Sequence, residues 1–359
     1  MPALSHDFER KLHGRRIFVT GHTGFTGSWA VQWLQMIGVE VHGFSLPAPT
    51  MPNLFEDAGA HAALASHTIG DVGDFNAVEA AIRQAKPELV LHLAAQPLVR
   101  RSYRDPIETY QANVMGTVNV LEAARRQGVA GAVCITTDKV YLNREWAYGY
   151  RETDRLGGSD PYSASKAAAE IVIDSYRSSM TSWEQTMLIA AARGGNIIGG
   201  GDWAEDRLIP DFARAARTGT PITLRNPAAT RPWQHVLALI HGYMMLLARM
   251  TDGDTSMSSA WNLGPAASAT LTVGEVVERL RIRWEDLTVV VEPTHLHETT
   301  ALALDSTKAQ RQLGWQPGWS TEEGIDRTAD WYAAYTPGAG VSAAITRRQI
   351  EDYRASLIR

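Results

Sequence analysis

Short apolar runs alternate with amphipathic stretches through the first half of the chain. Arg16-Ile-Phe-Val-Thr20 is one such run, and Phe25 to Ile37 follows it with apolar positions at helical spacing. Glu40 to Leu46 predicts a second strand, ended by the proline-rich Pro47-Ala-Pro-Thr-Met-Pro52. A weaker third strand, His67 to Gly70, closes at Asp71, and Phe75 to Ala85 predicts a helix. Glu88 to Leu93, Ala132 to Thr137 and Met187 to Ala192 predict three more strands. Long helical patterns cover Ile107–Gln127 and Pro161–Ser179. Strands alternating with helices imply βαβ units and a parallel sheet covered on both faces. Right-handed crossovers then give an α/β, doubly wound fold with its ligand crevice at the strand carboxyl ends.

After Arg193 the texture changes. Gly194-Gly195-Asn196 and Gly199-Gly200-Gly201 bracket a loop, and short helices and strands follow with scattered Trp and Pro. This predicts a second, smaller α/β lobe. From about Pro337 a Gly/Ala-rich linker leads to a charged helical pattern, Ser342 to Leu357, whose role the sequence does not assign.

Composition narrows the classes. The 359 residues carry a net charge of −5, against the basic excess of a protein that neutralises nucleic-acid phosphates. Cys134 is the single cysteine, which excludes an internal disulfide and disfavours a Cys-ligated zinc. The opening MPALSHDFERKL lacks the apolar core of a signal peptide, and no apolar run approaches the ~18 residues of a membrane span. A soluble, reduced, cytoplasmic protein is the expectation.

Thr20-Gly21-His-Thr23-Gly24-Phe25-Thr26-Gly27 lies between the first strand and first helix. Glycines three apart there permit a tight turn and a close backbone approach to a pyrophosphate, which the helix N-terminus attracts. A ligand-free glycine turn is the alternative. An acid about 20 residues on would bond the ribose hydroxyls of NAD, but Ser45 stands at that place. No Arg or Lys nearby would hold the 2′-phosphate of NADP, so NAD is weakly favoured. Asp71 and Val72 are candidates for the adenine edge, although Asp71 could equally cap the next helix. Leu93, Ala94, Ala95 and Gln96 end the fourth strand with side chains that suit either a cofactor floor or plain packing.

Thr136-Thr137-Asp138-Lys139 ends the fifth strand, where a doubly wound fold faces its ligand. Tyr162 and Lys166 are four apart at the start of a long helix, with Pro161 at its first position. A lysine cation beside a phenol favours the phenolate and lowers a pKa that starts near ~10, making a base for a sugar hydroxyl. Spacing alone would also fit a surface pair; the glycine loop and the Thr-Asp pair favour the functional alternative.

The glycine loop, Tyr162-x-x-x-Lys166 and Asn113-Val-Met-Gly116-Thr117 resemble the extended short-chain dehydrogenase/reductase superfamily. Within it, further strings resemble the CDP-glucose 4,6-dehydratases. They are Gly21-His-Thr-Gly-Phe25, His92-Leu-Ala-Ala-Gln-Pro-Leu-Val-Arg100, Thr137-Asp-Lys-Val-Tyr141, Gly149-Tyr-Arg-Glu152, Gly194-Gly-Asn-Ile-Ile-Gly-Gly-Gly-Asp-Trp203 and Arg231-Pro-Trp-Gln-His235. The likeness runs from about Phe8 to Tyr335. Related dTDP-glucose dehydratases carry Asp-Glu where this chain has Asp138-Lys139, and sugar epimerases carry small hydroxyl residues.

The resemblance implies a Rossmann domain over 1–193 plus 233–263, a nucleotide-sugar lobe over 194–232 plus 264–340, and a tail over 341–359. It implies conversion of CDP-D-glucose to CDP-4-keto-6-deoxy-D-glucose with NAD, a step toward the deoxysugars of surface polysaccharides. Tyr162 would take the C4 hydroxyl proton as hydride passes to NAD, and Thr137 would hold the C4 oxygen. Asp138 would protonate the leaving C6 hydroxyl, its pKa raised by burial or a neighbouring charge. Lys139 would be the C5 base once neutral, helped by Lys166 and a dry site, or would stay charged beside the enolate. Thr136, Tyr162 and Lys166 join the expected cofactor contacts.

Asn196, Gln96, Leu208 and His235 join the expected substrate contacts. Arg207, Arg225 and Arg231 could each pair phosphate oxygens or sit as surface arginines. Trp203 and Trp233 could cover the base or sugar, or fill the core. The His295-x-His297 pair lacks a third ligand, and no metal is expected. A homodimer through the two long helices is implied, with a homotetramer as the alternative. A non-catalytic NAD sensor on the same fold would be expected to lose Tyr162 or Lys166, and both are here.

Overall fold

The computed structural model describes residues 6–184, 186–265, 270–292, 302–338 and 340–357. Seven parallel strands form its main sheet: β1 (Arg16–Thr20), β2 (Glu40–Ser45), β3 (Ser66–Ile69), β4 (Leu89–His92), β5 (Gly131–Ile135), β6 (Leu188–Gly194) and β7 (Ala260–Leu263). Their order is β7-β6-β5-β4-β1-β2-β3, so the winding reverses between β1 and β4. Thr20 is in register with both Phe44 and His92, and His92 with Cys134. The carboxyl ends of these strands therefore open at one level.

Alternate residues of each strand feed opposite faces. Ile17, Val19, Leu91 and Val133 join one apolar core, while Phe18, Val90, Ala132 and Cys134 join the other. The sequence pattern predicts six of the seven strands. β7, Ala-Trp-Asn-Leu, is too short to show a period, and its central Asn262 is fully buried. Its amide donates to the Tyr150 and Asp305 carbonyls at 2.7 and 3.2 Å, which makes burial tolerable.

The pattern over Ile107–Gln127 predicts one regular helix. The structure instead has Pro106–Tyr110, a wide turn over Gln111–Met115, and Gly116–Arg126. The wide turn carries Asn113, whose side chain bonds the Gln96 backbone on both sides, at 2.9 and 3.1 Å, and Ser165 at 2.8 Å. The Pro161–Ser179 helix starts and ends as the sequence predicts, with Asp160 capping Ser163 N at 2.9 Å.

Beyond the sheet lie short strand pairs. Ile197–Ile198 pairs with Gln234–His235, Thr230–Arg231 with Leu271–Thr272, and Ile222–Leu224 with Val289–Val291. The tail helix, Val341–Ser356, docks on the first helices. Arg354 grips the buried Glu9 carboxylate through two bonds of 2.6 and 2.8 Å. Trp331 donates to Thr346 at 3.0 Å, and Gly318 N donates to the Tyr353 hydroxyl at 2.9 Å.

Candidate active site

The glycine loop leaves β1 with Gly21 at φ +73°, where its N–H donates to the Phe44 carbonyl at 2.9 Å. A Cβ at Gly21 would stand 2.7 Å from Ala94 N, and one at Gly27 would collide with the Gly21 carbonyl oxygen. Both glycines are thus required by backbone packing before any ligand is considered. Gly24 caps the Phe25–Met36 helix without any side chain over its first N–H groups. The first N–H groups of that helix therefore take no side-chain cap, which fits a dinucleotide pyrophosphate.

Beside the loop, the Thr23 and Ser45 hydroxyls bond each other at 2.8 Å, and Thr23 also donates to the Leu46 carbonyl at 2.8 Å. This neutral pair stands where a ribose-binding acid would be expected. Asp71 is exposed, and one of its oxygens accepts from Gly73 N at 2.8 Å. Asp74, not Asp71, caps the next helix. Val72 is buried against Gly116, and Leu93, Ala94 and Ala95 remain partly open at the end of β4. Gln96 is buried, and its side chain is used internally: it donates to Leu98 O and Thr109 and accepts from Leu98 N. The amide staples the loop rather than reaching out, against its expected part in ligand contact.

The turn after β5 brings the acid–base groups together. Thr137 donates to one Asp138 oxygen at 2.9 Å; the other, Oδ2, is buried with no partner. Burial pushes the Asp138 carboxyl up, only partly opposed by the Lys139 and Arg231 charges and the Thr137 bond. Burial pushes Lys139 down, and the nearby Arg231 and Arg207 cations push the same way against Asp138. Its ammonium lies 5.8 Å from the centre of the Tyr162 ring.

Two expectations about Lys166 change here. Its ammonium donates to the Ile135 carbonyl at 3.0 Å, and burial lowers it to about 8. Tyr162 is not depressed by that lysine; burial pushes it up to about 12, with Thr137 and Arg207 pulling the other way. The cations acting on Lys139 are likewise Arg231 and Arg207, from the smaller lobe, and not Lys166. Thr136 also departs from expectation. Its hydroxyl donates to Glu170 at 2.5 Å inside the protein.

The expected substrate residues divide. Arg207 pairs with Asp202 at 2.9 Å and stands at the start of the Leu208–Thr218 helix, with Leu208 partly buried beside it. Arg225 and Arg100 both pair with Asp206 at 3.1 Å, and Arg231 donates to the Thr230 carbonyl. The Asn196 carbonyl accepts from Gln234 N, fixing that loop against the segment that leads into the Val236–Thr251 helix. His235 is the departure. It is buried, caps the Val236–Thr251 helix through Nδ1, and packs its ring on Trp29 and Trp319. Burial lowers it to about 3, so it is a neutral core histidine. Trp203 and Trp233 are buried core rings too. His295 and His297 lie outside the described residues. Among the described residues there is no cluster of metal-ligating side chains.

Sequence reasoning missed Asp202 and Asp206, which hold the arginines, and Glu170 with Arg193, a buried pair behind the acid–base turn. Glu170 had a signal: it falls four residues after Lys166 on the same helix.

Known proteins now give the context. The family model described as GDP-mannose 4,6 dehydratase matches residues 18–328. A CDP-glucose 4,6-dehydratase of Salmonella typhimurium is 44% identical over 353 residues, covering 96% of this chain and 98% of its own. A UDP-glucose 4-epimerase of Thermus thermophilus, solved in complex with NAD, superposes with a TM-score of 0.76 at 25% identity, covering 89% of this chain and 100% of that one. A dTDP-glucose 4,6-dehydratase of Streptomyces venezuelae, solved with NAD, superposes with a TM-score of 0.72 at 25% identity over 88% of this chain and 96% of that one. The chain belongs to the GDP-mannose 4,6 dehydratase family, within the extended short-chain dehydrogenase/reductases.

Proposed function

We propose that the chain converts CDP-D-glucose to CDP-4-keto-6-deoxy-D-glucose and water, as an NAD-dependent hydro-lyase. The observation that carries this is the Asp138 carboxyl, buried, pushed toward its protonated form, and with one oxygen unpartnered beside Tyr162 and Lys139. An epimerase has no step that uses such an acid; a dehydratase does. The Salmonella relative's name supplies the CDP-glucose preference.

The residues that would hold NAD are the backbone of Gly21, Gly24, Phe25, Thr26 and Gly27 at the pyrophosphate, and Thr23 and Ser45 at the ribose. Asp71 and Val72 would meet the adenine, with Leu93, Ala94 and Ala95 beneath. When bound there, NAD would supply a reversible hydride acceptor for the C4 and C6 steps. Tyr162 takes the C4 hydroxyl proton; it is protonated in the ligand-free protein, so it must first lose its own, and Thr137 and Arg207 favour that loss. Thr137 orients the C4 oxygen. Lys139, depressed by burial and by Arg207 and Arg231, removes the C5 proton. Asp138 protonates the C6 hydroxyl as it leaves as water. Arg207, Arg225 and Arg231 receive the diphosphate.

Incubation with CDP-, dTDP- and UDP-glucose tests this, reading the keto sugar by its absorbance in alkali. Product from CDP-glucose alone is expected. An epimerised hexose with no keto sugar overturns the dehydratase, and no turnover with any donor favours the NAD sensor. Lys139→Met is expected to keep reduction of bound NAD yet stop solvent exchange at C5; normal exchange would put the base elsewhere.

The division into 1–193 plus 233–263 and 194–232 plus 264–340 is supported by β7 joining the main sheet while the pairs of Thr230–Arg231 with Leu271–Thr272 and Ile222–Leu224 with Val289–Val291 stay outside it; the pair of Ile197–Ile198 with Gln234–His235 bridges the two parts. A homodimer through the helices of 106–126 and 161–179 is supported by exposed Ile107, Tyr110, Met115 and Ile171 on them. Light scattering checks it, a tetramer being the alternative. No helix among the described residues is long and apolar enough to cross a membrane, and we place the enzyme in the cytoplasm on the family likeness.

A further inference from the structure

Two segments must stay in register for the proposed reaction. One is the turn Thr137–Lys139; the other is the first two turns of the Pro161–Ser179 helix, which carry Tyr162 and Lys166. They are separate in sequence, and backbone hydrogen bonding does not join them directly.

Glu170 lies eight residues after Tyr162 and four after Lys166, so it shares their helix face. Its carboxylate is 1% exposed and accepts three bonds. Arg193 Nε and Nη2 give it a bidentate pair at 2.9 and 2.8 Å, and Thr136 Oγ1 donates at 2.5 Å. Arg193 spends Nη1 on the Tyr141 hydroxyl, at 2.7 Å, and on the Glu152 carbonyl, at 3.1 Å. Thr136 immediately precedes the acid–base turn, and Tyr141 closes it. Both ends of that turn therefore hang on one buried ion pair, anchored to the helix of Tyr162 and Lys166. Tyr141 passes the chain on to Asn262 in β7, donating at 2.7 Å.

We propose that Glu170 and Arg193 are positioning residues, a clamp that sets Thr137, Asp138 and Lys139 against Tyr162; the catalytic part of this rests on the dehydratase function proposed above. Neither side chain needs to touch substrate or cofactor. A buried ion pair adds little net stability over well-packed apolar groups. A planar guanidinium, however, can hold a carboxylate and a phenol in fixed directions together, which an apolar pair cannot.

The test uses the full chain with NAD. Glu170→Gln keeps the shape and removes the charge; Thr136→Val and Tyr141→Phe each cut one tether and leave the ion pair in place. Two quantities are read: kcat and KM for CDP-glucose, and amide hydrogen exchange of the peptide spanning 136–141. In Glu170→Gln we expect kcat down about 100-fold, the scale of an ångström-sized misplacement, with KM within about threefold and exchange in 136–141 accelerated about tenfold or more. The single-tether variants should each lose roughly three- to tenfold in kcat. If Glu170→Gln does not fold, they carry the test alone. Unchanged exchange in 136–141 overturns the clamp whatever the activity, and so does a loss confined to KM. A wild-type protein that makes no keto sugar overturns the dehydratase instead, while the exchange result still decides the clamp.

Discussion

Among the described residues, two buried glutamate–arginine pairs are of nearly the same build. Glu170 and Arg193 are 1% and 4% exposed in their side chains; Glu9 and Arg354 are 0% and 7%. Each arginine grips its carboxylate through Nε and Nη2, and each carboxylate takes one further donor, Thr136 in the first pair and Trp33 in the second. What differs is the chain attached to them. The first pair holds the two ends of the acid–base turn. The second joins the Asp7–Leu12 helix to the tail helix and touches nothing in the candidate site. Burial and bond number do not separate a pair that serves chemistry from one that closes the fold; what each pair tethers does.

The largest expected effect lies on the turn that the first pair holds. Asp138→Asn keeps the size of the side chain and removes the acid. Loss of a positioned acid is worth about 10²–10⁴ in rate. Keto-sugar formation should fall by that much, while CDP-glucose still reduces the bound cofactor. Stopped-flow absorbance at the reduced-nicotinamide band separates the two halves. Loss of both halves together would move Asp138 out of the C6 step.

The terminal pair should show the opposite profile. Arg354→Met leaves Glu9 buried with its charge unpaired, a change worth about 3–5 kcal/mol. Arg354 and Trp33 hold the Glu9 carboxyl below its usual range despite burial, so part of that cost is relieved by protonation at low pH. The urea midpoint should drop, and kcat per folded molecule should stay within about twofold. A fall in kcat beyond the unfolded fraction would erase the distinction between the pairs.

Acid sharpens the comparison further, because each region buries a histidine. His92 bonds Thr20 at 2.7 Å beside the catalytic region, and His241 packs on Phe8, Trp33 and Tyr353 beside the terminal one. Burial lowers both to about 3 from an ordinary 6.5, with Lys166 adding to the effect at His92 and His6 at His241. The unfolded chain therefore binds protons that the folded one refuses. Their contribution is fully present above pH 6.5 and is lost as pH falls from there toward 3, by at most about 1.4 kcal/mol per pH unit for each ring. His92→Gln and His241→Gln should each flatten the fall in unfolding free energy between pH 6 and 4. A slope unchanged in either variant would mean that ring is protonated in the fold.

Much of the scaffold was legible in the sequence because local rules decide it. The glycines of 21–27, the Asp160-Pro161 helix start and the apolar strands each answer to their nearest neighbours. The wide turn at Gln111–Met115 was not legible, since it is set by Asn113 reaching Gln96 and Ser165. The site divided in the same way. Thr137, Asp138, Lys139 and Tyr162 do converge, but the environment that sets their proton affinities comes from elsewhere. Arg207 and Arg231 reach in from the smaller lobe, and Lys166 turns to a backbone carbonyl. Spacing along one helix could not show that burial, and not Lys166, would dominate the proton affinity of Tyr162.

The smallest expected effect falls at Cys134, which lies on β5 two residues before Thr136 and so on the same strand face. Its thiol is 1% exposed, and burial with the nearby Glu170 charge pushes it up to about 12. The thiolate is then negligible at pH 8, and a thiol reagent should label the native protein only when the sheet opens. Cys134→Ala should cost about 1 kcal/mol for the lost sulfur and leave turnover within about twofold. The labelling rate then separates the two pairs: loss of Arg354 should speed it only through global unfolding, and so with the urea dependence of global unfolding. Loss of Glu170 should add a route that urea hardly affects, because opening the 136–141 segment exposes little surface. Equal urea dependence in both variants would mean that the two pairs guard a single cooperative unit.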